Sequence, residues 1–173
     1  MSTEGRGEQV GLAATPEVEF GVPRSWARGQ KVLHPSRDSY LGVAGALYAA
    51  GYLMCVDVTA VDYCAAKQHR VLPEGVLPER FEVVAGFISH SERGRVRLRV
   101  QVPESDPTCP SLWELHAGVE ALEREVFDLF GITFGGHPDM TRILMPENWQ
   151  GYPLRKDYSL GRIPVQFKGA PSS

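Results

Sequence analysis

Charged side chains that could bind a partner recur at a regular spacing in the second half of the sequence. Glu120, Arg124 and Asp128 lie four residues apart, which places them in one row on an α-helix, where each pair contributes about 0.2–0.5 kcal/mol. His137 and Asp139 follow, but one histidine beside one aspartate lacks the third ligand of a zinc site. A solvated or partner-facing row is therefore favoured over a metal site or a hydrolase that uses Glu123, His137 and Asp139.

Glu123 differs from its neighbours because it lies beside the apolar stripe of the same helix. At 100° per residue it falls close to Val126 and Phe130. A carboxylate in that position needs a cationic partner or a backbone donor. The nearest candidates in type are Arg142, Arg155 and Lys156, so we predict a Glu123–arginine pair that anchors the following segment to the helix.

Composition limits the classes of protein that this chain can belong to. Its 173 residues are 43% apolar and 23% charged, which fits one globular domain. A net charge of −3 and mixed signs make nucleic acid or anionic lipid a poor choice of partner. Three cysteines without a C-x-x-C pair argue against disulfides, zinc or iron–sulfur clusters. We expect a reducing, cytoplasmic setting and, since residues 1–29 lack an apolar core, no secretory signal.

Periodicity predicts a largely antiparallel sheet preceded and followed by a helix. The first helix is expected from a cap at Ser36 to Gly51. Strands are expected at 53–63, 81–90 and 95–102, the last with valines and leucine alternating with polar residues. The turn 91–94 should join two of them as a hairpin, with a positive φ at Gly94.

The second helix is predicted over residues 112–130. Ser111 and Glu114 resemble a capping box, and Gly131 lies where a C-terminal cap belongs. The apolar stripe of this helix must pack on the sheet. The expected fold is an α+β two-layer sandwich with the helices on one face of the sheet.

Residues 132–173 show no helix or strand period and contain many glycines and prolines. They also contain several large apolar side chains, which disordered segments lack. We therefore expect an ordered tail that wraps its own domain or a partner. The predicted organisation is an arm at 1–29, partly mobile, a core domain at 30–131 and an extended partner-wrapping tail at 132–173.

The helix and tail together resemble the C subunit (30 kDa subunit family) of respiratory complex I, the NADH-quinone oxidoreductase. The matching stretches are residues 123–132, Phe134, residues 136–139, residues 142–146, Trp149, Gly151 and residues 153–158. Residues 58–63 also look like the family's strand after the first helix. The sequence departs from the family pattern at Thr141, Tyr152 and Ser159, which puts individual tail contacts in doubt.

The resemblance implies a non-catalytic subunit of the hydrophilic arm, active only as part of the translocase. Such a subunit is peripheral, on the cytoplasmic side of the cell membrane, and docks on the D subunit near the quinone site and the cluster-carrying B and I subunits. It has no cofactor of its own, and FMN and iron–sulfur clusters are implied on the partner subunits. The alternative is the equivalent subunit of a membrane-bound hydrogenase, formate hydrogenlyase or F420 dehydrogenase complex.

The residues predicted to bind these partners lie in the second helix and the tail: Glu120, Glu123, Arg124, Asp128, His137, Asp139, Arg142, Trp149, Arg155, Lys156, Asp157 and Tyr158. On this hypothesis Asp128→Ala or Arg155→Ala weakens assembly of the complex and leaves the isolated domain folded.

Overall fold

The computed structural model describes residues 17–64 and 70–159, which form a six-stranded sheet, two α-helices and a small second sheet. In chain order the elements are β1 (Val18–Glu19), β2 (Val22–Ala27), β3 (Gln30–Leu33), α1 (Tyr40–Ala49), β4 (Met54–Asp62), β5 (Phe81–Ser89), β6 (Gly94–Val102), β7 (Thr108–Pro110), a 3₁₀ turn (Ala117–Val119), α2 (Glu120–Phe130) and β8 (Thr133–Gly135). The large sheet has the order β1-β2-β3-β6-β5-β4, and β7 pairs with β8.

The predicted α+β fold with a largely antiparallel sheet is confirmed. Within the large sheet, only β3 and β6 are parallel neighbours. On β6, Val96, Leu98, Val100 and Val102 are buried. The cross-strand pairs Ala85–Leu98 and Val83–Val100 put the buried side chains of two strands on one face. These residues form a single core with the buried side chains of α1 and α2.

The start of the first helix and the turn of the hairpin between β5 and β6 differ from the prediction. Helix α1 begins at Tyr40, and the Ser36 hydroxyl accepts a hydrogen bond from the Ser39 N–H at 3.2 Å outside the helix. In the hairpin, Arg93 adopts the positive φ of 48°. Gly94 instead starts β6, where an added Cβ would lie 2.9 Å from the Tyr52 hydroxyl. This glycine provides space, and the prediction of its φ was wrong.

The helix predicted over 112–130 is α-helical only from Glu120. A first turn forms, because the N–H of His116 donates to the Leu112 carbonyl at 2.8 Å. It stops at His116, whose φ of −140° and ψ of 82° are not helical. The His116 ring packs against Tyr48 and Phe87, with ring centroids 5.5 and 5.4 Å apart. Core packing therefore overrides the helical spacing.

Regular structure also occurs inside the two segments that the sequence assigned to an arm and a tail. Strands β1 and β2 lie within 17–29, and β8 lies within 132–173. Glu19 on β1 forms ion pairs with Arg24 on β2 and Lys31 on β3, at 3.1 and 2.6 Å, which join these three neighbouring strands. Pro23 interrupts the alternation of β2, which is why period alone misses it. Residues 1–16 and 160–173 of these two segments lie outside the described residues.

Candidate docking interface

The first part of the tail is held by a buried carboxylate on helix α2. Asp128 has no exposed surface. Its carboxylate accepts hydrogen bonds from the backbone N–H groups of Ile143, Leu144 and Met145 at 3.1, 2.7 and 2.8 Å. The Arg142 guanidinium donates to it at 2.6 Å. Burial raises the pKa of Asp128, but these donors outweigh burial and leave the pKa below its usual value.

The tail is held again at Lys156 by a second buried carboxylate, at the end of strand β4. Asp62 accepts hydrogen bonds from the N–H of Lys156 at 2.8 Å, the N–H of Cys64 at 2.8 Å and two nitrogens of Arg80 at 3.2 and 3.0 Å. Arg80 also forms ion pairs with Glu104 and, at 2.8 Å, with Asp157. Burial raises the pKa of Asp62, and the bonds from Arg80 and the two N–H groups bring it below its usual value.

Between these two anchors the tail crosses the C-terminal end of α2. Arg155 donates to the Phe130 carbonyl at 2.6 Å, one of the carbonyls that a helix end leaves without a partner. Its guanidinium lies 4.6 Å from the centroid of the Tyr152 ring and 5.0 Å from that of Phe81. Gly131 has a φ of +70°, and an added Cβ would lie 2.4 Å from the Tyr152 ring. Only glycine fits this crossing.

Glu123 is buried as the sequence indicated, but its predicted arginine partner was wrong. The carboxylate accepts hydrogen bonds from the Ser111 hydroxyl and, at 2.8 Å, from the Leu112 N–H. Burial raises the pKa of Glu123 above its usual value, and the hydrogen bonds from Ser111 and Leu112 lower it only in part. The tail arginines instead bond to Asp128 and to the end of α2.

The remaining charged residues of the helix bind the segment that joins it to the tail. Arg124 pairs with Glu120 at 3.0 Å and donates to the carbonyls of Thr141 and Arg142 at 3.1 and 3.2 Å. The His137 ring bonds to the Glu120 carbonyl through Nε2 and accepts the Asp139 N–H at Nδ1, both at 3.0 Å. Because Nδ1 is the acceptor, Nε2 carries the proton and donates. Both ring nitrogens are therefore used in local structure.

Two of the residues predicted to bind partners are thus internal anchors. Glu123 and Asp128 have no surface for a partner to touch, which corrects that part of the prediction. Lys156 and Asp157 are exposed, and Trp149 is half-buried with an indole N–H that has no hydrogen-bond acceptor among the described residues. Tyr158 is half-buried over Gly151, where an added Cβ would lie 2.8 Å from its ring.

Three large apolar side chains of the anchored tail are exposed. Ile143, Leu144 and Leu154 expose 42%, 55% and 46% of their surface, although their backbones are hydrogen-bonded to α2. We call these three residues, with Trp149, the tail face. Exposed apolar side chains on an ordered segment are typical of a protein-binding surface. Sequence reasoning missed Asp62 and Arg80, although Asp62 continues the inward alternation of Val58 and Ala60 and so needed a partner.

Residues 17–64 and 70–159 contain no group of three or more histidine, cysteine, aspartate and glutamate side chains that could hold a metal ion. Neither α-helix of this region has the length and apolar content needed to cross a lipid bilayer.

Comparison with known proteins places this architecture in one family. Residues 33–163 match the family described as respiratory-chain NADH dehydrogenase, 30 Kd subunit. The C subunit of the NADH-quinone oxidoreductase of Saccharopolyspora erythraea is 41% identical over 146 residues, covering 83% of this chain and 55% of the relative. The fifth subunit of the same enzyme from Thermus thermophilus is 42% identical over 125 residues, covering 69% and 57%. The chain thus spans just over half the length of these curated relatives.

Solved structures show the same fold. A trypsin-resistant fragment (1–134) of Nqo5 has a TM-score of 0.61 and 34% identity, covering 69% of this chain and 89% of the fragment. A chain of the archaeal membrane-bound sulfane sulfur reductase has a TM-score of 0.65 over 88% of this chain and 89% of its own length. At 18% identity, the second likeness concerns the fold alone.

Proposed function

Because the chain belongs to the 30 kDa subunit family of respiratory-chain NADH dehydrogenase, we propose that it is a docking subunit of an NADH-quinone oxidoreductase. Its role is to bind redox subunits through the tail face and so support electron transfer from NADH to quinone. The chain itself contributes no catalytic group. It works on the cytoplasmic side of the cell membrane as a peripheral member of a hetero-oligomeric complex.

The anchored tail is the observation that carries this proposal. Two buried carboxylates, Asp128 and Asp62, fix the backbone at both ends of residues 142–156. Asp128 accepts three hydrogen bonds from the tail backbone and Asp62 accepts one, while Leu144 and Leu154 on the segment between them are exposed. An isolated domain gains nothing from apolar side chains held in water, whereas a subunit gains a preformed contact surface.

The resemblance of the tail motif supports a more specific assignment of partners. On that basis the tail face binds the D subunit near the quinone site, with the cluster-carrying B and I subunits close by. FMN and iron–sulfur clusters belong to partner subunits of the complex, and this chain binds none. The alternative is that the chain is the equivalent subunit of a related membrane complex, such as a hydrogenase. The same fold occurs in a chain of the sulfane sulfur reductase, so the fold by itself does not separate the two assignments.

The experiment is to tag the chain in its own cells, extract the complex in mild detergent and identify the partner chains. Leu154→Asp and Leu144→Asp should reduce the yield of associated subunits at least about tenfold, because an interfacial leucine replaced by a charge leaves that charge desolvated. Leu77→Asp is the matched control, since Leu77 is 78% exposed and lies outside the tail. All three purified chains should melt close to the unsubstituted chain.

Two results would count against the proposal. Full recovery of partner subunits with both tail-face variants would show that docking uses another surface. Partner chains of a hydrogenase or dehydrogenase that lack NADH-binding and quinone-site subunits would identify a different parent complex.

A further inference from the structure

The face of the sheet opposite the main helix-packed core carries a second surface. On β5, Val84, Gly86 and Ile88 point to this side, and on β6 their cross-strand neighbours are Arg99, Arg97 and Arg95. Thr59 on β4 pairs with Val84 and extends the surface toward the edge. We call the part formed by Thr59, Val84, Gly86, Ile88, Arg95 and Arg97 the open face.

The arginines of this face differ in how they are paired. Arg99 bonds to the buried Glu82 at 2.7 Å. Arg95 and Arg97, by contrast, form no ion pair and no side-chain hydrogen bond with any residue of 17–64 or 70–159. Asp57, opposite Gly86 on the neighbouring strand, is exposed and bonds to neither of them. Two guanidinium groups therefore lie on one face of β6 without an ion pair to the described residues, although Asp57 places one carboxylate on the same face, two strands away.

A notch lies beside these arginines. The β-bulge between Cys55 and Asp57 turns Val56 toward Gly86, whose missing side chain leaves room. A Cβ added at Gly86 would lie 3.7 Å from the Val56 side chain. The resulting depression has a volume of about 150 Å³, and its lining includes Val84, Ile88, both arginines and, at the side of β4, Asp57. That volume accommodates one apolar side chain.

We propose that the open face docks an acidic segment of a partner protein. Carboxylates of the segment bond to Arg95 and Arg97, and a neighbouring apolar side chain enters the notch at Gly86. Charge complementarity favours this occupant, because arginine is enriched in interfaces and guanidinium groups bind carboxylates through two parallel hydrogen bonds. A second copy of the chain would bring the same positive charges together. Nucleic acid would require a broader basic surface than two arginines in a chain of net charge −3.

The proposal rests on the proposed function only in that the partner belongs to the same complex. The test places a photo-reactive amino acid at Thr59 in the intact, detergent-extracted complex. After illumination, the cross-linked peptide is identified by mass spectrometry. We expect a peptide with at least two Asp or Glu residues from another subunit, and a loss of this product of about tenfold or more in the double variant Arg95→Glu/Arg97→Glu.

Matched variants separate docking from folding. Arg28→Glu reverses one charge at an exposed turn residue outside the open face and should leave the cross-link unchanged. Arg97→Gln keeps the side chain polar and of similar length, and should reduce the cross-link while the melting temperature stays the same. Converting the carboxylates of the captured peptide to lysine should restore the product in the double glutamate variant.

Four outcomes would overturn the proposal: a cross-link to residues 1–16 of the same chain, a cross-link to a second copy, no cross-link at all, or a product that charge reversal does not reduce. A second probe at Leu154 reports the tail face in the same preparation. If the Leu154 cross-link persists while the Thr59 probe fails, the docking function stands and only the open face is refuted.

Discussion

Replacing Asp128 with alanine removes the anchor that fixes the beginning of the tail. The carboxylate accepts hydrogen bonds from three backbone N–H groups of the tail and forms an ion pair with Arg142. The sequence predicted a solvent-facing residue whose loss affects only assembly. Its burial reverses that expectation, because the isolated chain should now lose stability.

The size of the effect follows from what the variant leaves behind. Breaking a buried ion pair by deleting one partner costs about 3–5 kcal/mol. The Arg142 side chain keeps 15% of its surface exposed, so water solvates part of the remaining guanidinium and the lower end of the range, about 3 kcal/mol, is expected. For a chain of 173 residues, each kcal/mol lost from the free energy of unfolding lowers the Tm by about 2–4 °C. The expected fall in Tm is therefore about 6–12 °C.

The assay is thermal and urea unfolding of the purified full chain, followed by circular dichroism and tryptophan fluorescence. Glu120→Ala is the control on the same helix, since its half-exposed ion pair with Arg124 contributes less than about 0.5 kcal/mol. If Asp128→Ala melts within about 2 °C of the unsubstituted chain, by the size relation used above, the tail is not held by this carboxylate and its order has another cause.

Three further predictions concern the C-terminal end of α2, stability in acid, and the two carboxylates Glu114 and Glu123. Gly131→Ala should destabilise the chain by about 2 kcal/mol or more in urea, because alanine is strained at this positive φ and its Cβ would clash with the Tyr152 ring. Gly118→Ala is the control, since an added Cβ there meets open space and should not destabilise the chain. The pKa of Asp62 is lowered in the folded chain. Its contribution to the free energy of unfolding is therefore complete above the unfolded pKa of about 4 and is lost as the pH falls through the folded pKa. Asp62→Asn should flatten the fall in stability at acid pH, measured by unfolding at a series of pH values. Glu114→Ala should change the free energy of unfolding by less than about 0.5 kcal/mol, whereas Glu123→Ala, which strands two buried donors, should cost about 2 kcal/mol or more.

The parts of the fold that the sequence predicted well are those where burial alternates without interruption. Residues 95–102 alternate valine and leucine with polar side chains, and β6 spans Gly94–Val102. Strand β2 was missed because Pro23 interrupts its alternation, and because its ion pair to Glu19 and its cross-strand pairing have no period in the sequence. The 112–116 turn was misassigned because its leucines do reach the core, but through a turn and not a helix.

Only part of the candidate site was predictable from the sequence. The burial of Glu123 follows from its position beside the apolar stripe, but the Ser111 hydroxyl and the Leu112 N–H bind it in place of the predicted arginine. Which carboxylate receives which arginine depends on where the tail runs, and irregular chain carries no period from which to compute that path. Asp62 lies 94 positions from Lys156 in the sequence, so only the folded structure shows that the two meet.

The anchoring of the tail has a consequence for the thermodynamics of assembly. Ordering an extended segment costs about 1–2 kcal/mol of conformational entropy for each residue fixed. Because Asp128 and Asp62 already hold residues 142–156, most of this cost falls on the folding of the subunit and not on its association. A partner that meets the tail face therefore encounters a backbone that is already ordered, and covering Leu144 and Leu154 carries little further loss of backbone entropy.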